Sequence, residues 1–202
     1  RTRKQETSNE LVIYSPNVET VSNTIIPLGE EETGIKVTVI SAGSGEVGKG
    51  IASEKNNPYA DSNFGGVVSD PELYEGYKAK GVENLVINQE KRPPFATPYV
   101  ANISCLLVNK NLIGDIKIES YDDLLNPALK SKIASGDPAA SSSAYFQLTN
   151  ILLTHGGYES EEAWDFVEKL VANMEGKIFS SSGAVHRSVA DGEFTVAFTY
   201  DD

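Results

Sequence analysis

KIASGDPAASSSAYFQLTNILLT, residues 132–154, carries the pattern that decides the fold. Lys132–Ser135 reads as a short strand. Gly136-Asp137-Pro138-Ala139 cannot continue it, because Gly and Pro punctuate regular structure. Ala140–Thr154 then places apolar residues at helical spacing, and Gly156-Gly157 ends the run. A strand, a tight polar turn and an amphipathic helix make one βα unit.

The same unit recurs outward along the chain. Leu11–Tyr14 is a strand stopped by Ser15-Pro16, and residues 17–32 carry Val18, Val21, Ile25 and Leu28 at helical spacing, closed by Gly34. Lys36–Ile40 is a β-branched strand, Ser41–Gly45 a turn and Glu46–Glu54 a second helix. A third strand is expected near Asn63-Phe64, before Gly65-Gly66. Asp70-Pro71 opens a helix to about Lys80. Tyr99–Asn109 is the longest strand-like run. Beyond it lie helices at Asp122–Ser131 (Ser120 as cap), Glu159–Asn173 and Gly183–Ala190, with strands at Lys177–Ser180 and Glu193–Tyr200. Strands alternating with helices predict an α/β fold with mostly parallel sheets and right-handed crossovers.

Composition narrows the function. The 202 residues have a formal net charge of −12, opposite to the basic footprint of a nucleic-acid binder. No run approaches the ~18 apolar residues of a membrane span. The single cysteine, Cys105, lies in the apolar run Ile103–Val108 and reads as a buried strand thiol. No paired-Cys or His-based metal motif and no nucleophile elbow is present. His155 suits a helix C-terminus, and His186 lies beside Arg187 inside a helix. No cofactor is expected.

The chemistry sits in the strand-to-helix turns: Ser15-Pro16-Asn17, Gly43-Ser44-Gly45, Gly65-Gly66, Asp137–Ser143 and Ser180–Gly183. Each lies at the carboxyl end of a predicted strand, the edge where open α/β sheets bind ligands. Small residues admit a ligand to the backbone, and helix N-termini attract anions. A lone serine there is more often a helix cap, but Ser141, Ser142 and Ser143 together exceed what a cap requires. Tyr14 and Tyr200 end predicted strands and suit packing of a ligand body with one hydrogen bond. Asp201 and Asp202 follow, where a ligand ammonium would find a carboxylate. Gly43–Gly48 also spells G-x-G-x-x-G, with Asp61 as the acid of a dinucleotide site. That leaves an NAD(P)-dependent enzyme as the alternative of another class, although Asp61 precedes its strand.

Leu11-Val12-Ile13-Tyr14-Ser15, Glu32-Thr33-Gly34-Ile35-Lys36-Val37, Gly43-Ser44-Gly45-Glu46, Ala60-Asp61 before Phe64-Gly65-Gly66, Asp122-Asp123-Leu124, Gly136-Asp137-Pro138 and Asp191-Gly192-Glu193 occur in an order and spacing that is specific as a set. Together they resemble the extracytoplasmic solute-binding proteins of ABC importers, in the ferric-iron and 2-aminoethylphosphonate branch of the type II periplasmic binding proteins. The resemblance spans residues 10–202. It implies a two-lobed Venus-flytrap clamp with ligand in the inter-lobe cleft, no catalysis, delivery to a membrane permease, and a monomer exported to the periplasm or cell surface, with lipid anchoring as one route. Residues 1–9 then form a polar leader, 10–100 lobe 1, 101–109 a hinge-crossing strand and 110–202 lobe 2. Relatives run longer, so lobe 1 is expected to be incomplete.

Iron-binding members use two adjacent tyrosines where this chain has Thr199-Tyr200, plus a His and a Glu from the first lobe. Ser15–Val18 offers no His and Phe64–Val67 no carboxylate, so the hard anionic donors that ferric iron prefers are lacking. The resemblance therefore favours a small anion, a phosphonate or phosphate ester, over ferric iron as the alternative. Its contacts are expected from Tyr14, Ser15, Ser44, Gly45, Gly65, Ser141, Ser142, Ser143, Ser182, Tyr200 and Asp201. Gly29, Gly48 and Gly50 fall inside predicted helices in place of larger family residues, at about 1 kcal/mol each relative to Ala.

Overall fold

A computed structural model describes residues 9–66, 70–84, 93–176 and 178–201. The chain divides between Tyr77 and Lys78 into two compact units. The sequence leads to an expectation of lobes at 10–100 and 110–202, joined by a hinge-crossing strand at 101–109.

The first unit is built on β1 (Glu10–Ser15), β2 (Lys36–Ser41) and β3 (Ser62–Asn63). They pair in parallel in the order β2-β1-β3. Helices α1 (Glu19–Thr33) and α2 (Ser44–Ser53) make the crossovers. Gly34 ends α1 at φ 70°, its N–H bonded to the Glu30 carbonyl, as a glycine C-cap should. The expected apolar stripe of α1 is not its buried face: Ile25 and Leu28 are exposed, and Ser22 is the buried residue. Asp70-Pro71 opens only a short 3-10 turn, Pro71–Leu73, and not a helix to Lys80. Asp70 caps that turn through the Glu72 N–H, but Tyr77 beyond it is 74% exposed, so no buried face rewards a longer helix.

The second unit holds a sheet of order β4-β7-β5-β6. These strands are β4 (Ile103–Val108), β5 (Ile133–Gly136), β6 (Ile178–Phe179) and β7 (Val196–Asp201). The two pairings from β7 outward to β6 are parallel, whereas β4 runs antiparallel to β7. Helices α3 (Ser142–Thr154), α4 (Glu161–Met174) and α5 (Ser182–Ala190) cover the two faces. Strand alternation divides the core. Ile133, Val196 and Phe198 join Ile151, Phe166, Leu170 and Met174 on one face. Ala134 and Ala197 join Val185, Val189 and Phe194 on the other. Each large apolar side chain removed from water here contributes about 1.5–3 kcal/mol. The helix expected over Asp122–Ser131 is instead two 3-10 turns, Asp122–Leu125 and Pro127–Leu129. Pro127 divides them, because the residue before a proline is driven out of the helical region; Asn126 has ψ 123°. Ser120 does not cap: Asp123 reaches back to its N–H instead. Cys105 is half-buried and not fully enclosed, and burial raises its thiol pKa.

Candidate ligand-binding site

All three strands of the first sheet are parallel, so Ser15, Ser41 and Asn63 finish at one edge. Ser15 is fully buried and donates to the Phe64 carbonyl at 2.7 Å. Its oxygen also accepts the Asn17 N–H at 3.2 Å, and the Asn17 amide donates to the same carbonyl. The β1–α1 turn is thereby fastened to the turn after β3. Gly65 and Gly66 have φ of 96° and 76°. A Cβ on Gly65 would lie 2.4 Å from Asn17 Oδ1, and one on Gly66 would lie 2.9 Å from Pro16 and 3.1 Å from Ser44 Oγ. These glycines let three turns converge. Gly65, Ser44 and Gly45 are brought to one place, with Ser15 fixing the turns beneath.

Tyr14 is placed elsewhere. Its hydroxyl donates to Glu54 Oε1 at 2.7 Å, and that bond raises its pKa. Glu54 follows the last turn of α2, whereas Ser44 begins that helix. Ten helical residues separate the two ends by about 15 Å. Tyr14 thus lines a separate cavity of about 230 Å³ with Glu54, Asp61, Asn63 and Tyr74.

At the second sheet, β5, β6 and β7 end together. The turn after β5 is tightly wound. The Asp137 N–H donates to the Phe179 carbonyl, Asp137 Oδ1 accepts the Ala139 N–H, and the Asp137 carbonyl accepts from Ala140 and Ser141. Gly136 allows α3 to close on the strand end, since a Cβ there would sit 3.1 Å from Ala144 and 3.3 Å from Ser141. The helix begins at Ser142, later than the expected Ala140, with Ser141 as N-cap. Ser141 is buried, yet its side chain makes no capping bond; its hydroxyl pairs with Ser143 Oγ at 3.0 Å. By contrast, Ser160 caps α4 through the Ala163 N–H and Ser181 caps α5 through the Ala184 N–H. Ser182 is the first residue of α5, directly after that cap. Tyr200 and the exposed Asp201 end β7 at this same edge. Asp202 lies outside the described residues, as do residues 1–8 of the expected leader.

Two residues of this edge were not among the expected contacts. His186, on α5, pairs through Nε2 with the buried Thr199 hydroxyl and meets Tyr200 edge-on, ring centroids 5.4 Å apart. Gln147, 2% exposed, donates to the carbonyls of Cys105 and Thr199 at 2.8 and 2.5 Å and accepts from the Tyr121 hydroxyl. A buried polar residue on a helix facing a sheet is the available signal for Gln147. Nothing local marks His186. His155 keeps its expected place at the end of α3, stacked on Phe166 at 3.8 Å. Asp61 is engaged at the amino end of β3, accepting the Val12 N–H. It is thus remote from the Gly43-Ser44-Gly45 turn that a ribose acid would need to serve.

Small-residue turns gathered at the carboxyl edges of parallel sheets are the ligand-binding feature of an open α/β fold. The chain belongs to the family described as bacterial extracellular solute-binding protein, whose model matches residues 11–202. These are binding proteins and not enzymes. An uncharacterized protein of Haemophilus influenzae is 30% identical over 211 residues, covering 95% of this chain and 59% of its own length. The periplasmic binding protein AfuA from Actinobacillus pleuropneumoniae, solved with exogenous fructose-6-phosphate bound, is 26% identical at TM-score 0.76, over 95% of this chain and 63% of that one. The ferric binding protein from Campylobacter jejuni is 24% identical at TM-score 0.66, over 95% and 62%. The chain thus spans about three fifths of the length of these relatives, and the likeness to the ferric protein is one of fold.

Proposed function

We propose that this chain is the ligand-recognising part of an exported receptor that captures a small phosphorylated or phosphonylated solute and hands it to the permease of an ABC importer. The observation that carries the reading is the uncapped start of α3. Ser141 stands at the N-cap and does not cap, whereas the serines that start α4 and α5 do. Helix N-termini carry partial positive charge, so an oxyanion is a natural partner. Ser142 and Ser143, both half-buried, add hydroxyl donors beside it. The N-terminus of α2, at Ser44 and Gly45, offers the same chemistry in the first unit; Gly43 precedes it and has no side chain to cap with. Asp201 suits an amino or hydroxyl group on the rest of the ligand, and Tyr200 its apolar body. AfuA, with a sugar phosphate bound, supports this ligand class. The periplasm or cell surface is the place such a receptor works, with or without a lipid anchor.

Titration calorimetry with fructose-6-phosphate, 2-aminoethylphosphonate, inorganic phosphate and ferric citrate tests the reading. Saturable heat is expected with a phosphorylated or phosphonylated ligand, and Ser142→Ala/Ser143→Ala should weaken it at least tenfold, about 1.4 kcal/mol. Binding of ferric citrate alone would transfer the assignment to iron.

A further inference from the structure

We infer that His186 is a positioning residue for ligand capture at the second edge, acting through Tyr200; the inference rests on the receptor function proposed above. Val185 and Val189 anchor α5 against Ala134 and Ala197 on one face of the sheet. Thr199 points to that same face by strand alternation and is 3% exposed. His186 follows Val185 and pairs with the Thr199 hydroxyl through Nε2. The same ring then lies edge-on to Tyr200, at 5.4 Å and 60°. One imidazole therefore grips two consecutive residues at the end of β7. Tyr200 is left half-buried, with one side against His186.

The two contacts divide the work. The Thr199 bond fixes the imidazole, and the ring contact fixes the tyrosine. A tyrosine held before binding loses less rotamer freedom when a ligand arrives, and preorganisation of this kind raises affinity without any new contact to the ligand. Inorganic phosphate has no body for Tyr200 to pack. His186 should matter for phosphate esters and very little for phosphate itself.

Calorimetry on the full chain with fructose-6-phosphate and inorganic phosphate tests this. His186→Ala should weaken fructose-6-phosphate about tenfold and leave phosphate nearly unchanged. His186→Phe, which keeps a ring beside Tyr200 but gives up the Thr199 bond, should recover part of the loss. In a Tyr200→Ala background, His186→Ala should have no further effect. Far-UV circular dichroism and the thermal midpoint establish that each variant is folded, and His186→Phe serves if His186→Ala is not. Equal weakening of both ligands, or the same His186→Ala loss with Tyr200 absent, would overturn the inference and leave the receptor function standing. Undiminished binding by His186→Ala would do the same. Failure of the unaltered chain to bind either probe would remove the receptor function, and this inference with it.

Discussion

Asp123 shows how much one carboxylate can organise. Its Oδ2 accepts the N–H groups of Glu119 and Ser120 at 2.8 and 2.9 Å and the Ser120 hydroxyl at 3.2 Å. The backbone bond from Glu119, then that from Ser120, hold its pKa below the ordinary carboxylate value. A depressed folded-state pKa stabilises the fold above the unfolded value, and that contribution fades as pH falls through the folded one. Asp123→Asn should therefore lower the thermal midpoint at neutral pH, and its difference from the unaltered chain should shrink below the ordinary carboxylate range. A gap independent of pH would contradict the assignment. Gly65 is the second decisive residue. Its φ of 96° and the 2.4 Å approach of a Cβ to Asn17 leave no room for a side chain. Gly65→Ala should cost about 1–3 kcal/mol in chemical denaturation of the first unit. Gly65 and Ser15 were legible in sequence as turn residues. That Ser15 locks the turns from beneath, its hydroxyl occupied by Phe64 and Asn17, depends on a strand 47 to 49 residues away.

Among the elements, the helix starts divide into two kinds. Ser160 and Ser181 accept from N–H groups three residues on, as caps do. Replacing either by alanine should cost about 1 kcal/mol of stability with ligand binding intact. Ser141→Ala should cost less than half of that, because no cap is lost, while weakening a phosphorylated ligand. Denaturant midpoints and calorimetry on the same three variants separate the two kinds; a full cap's loss at Ser141 would refute the distinction. The helical glycines give the opposite prediction. A Cβ at Gly29 or Gly50 meets nothing within 4 Å. Gly29→Ala and Gly50→Ala should each stabilise the chain by about 1 kcal/mol, read from the denaturant midpoint. Sequence periodicity found the helices that have a face to bury. It overextended where nothing rewards a helix, as after Asp70, or where Pro127 divides the run Asp122–Ser131.

For the whole molecule, ligand binding and stability are linked. A solute held only by the folded state at a hundred times its Kd adds about 2.7 kcal/mol to unfolding. Fructose-6-phosphate should raise the thermal midpoint, and Ser142→Ala/Ser143→Ala should abolish the rise; an undiminished rise would place the ligand elsewhere. The sequence by itself determined the α/β class, the succession of βα units and the polar turns that follow the strands. It did so because those properties are set by residues within a turn or two of one another: hydrophobic period, glycine, proline and serine. The tertiary structure alone decided which of those groups remain to meet a ligand. Tyr14 was carried to Glu54, 40 positions away, and out of the turn cluster. Gln147 was joined to Thr199, 52 positions away, and His186 to Thr199 and Tyr200. The two pairings at Thr199 follow from the strand order β4-β7-β5-β6, which sets residues distant in sequence side by side. Local sequence carries no record of that order, because it is fixed by how the sheet and its helices bury their apolar faces together.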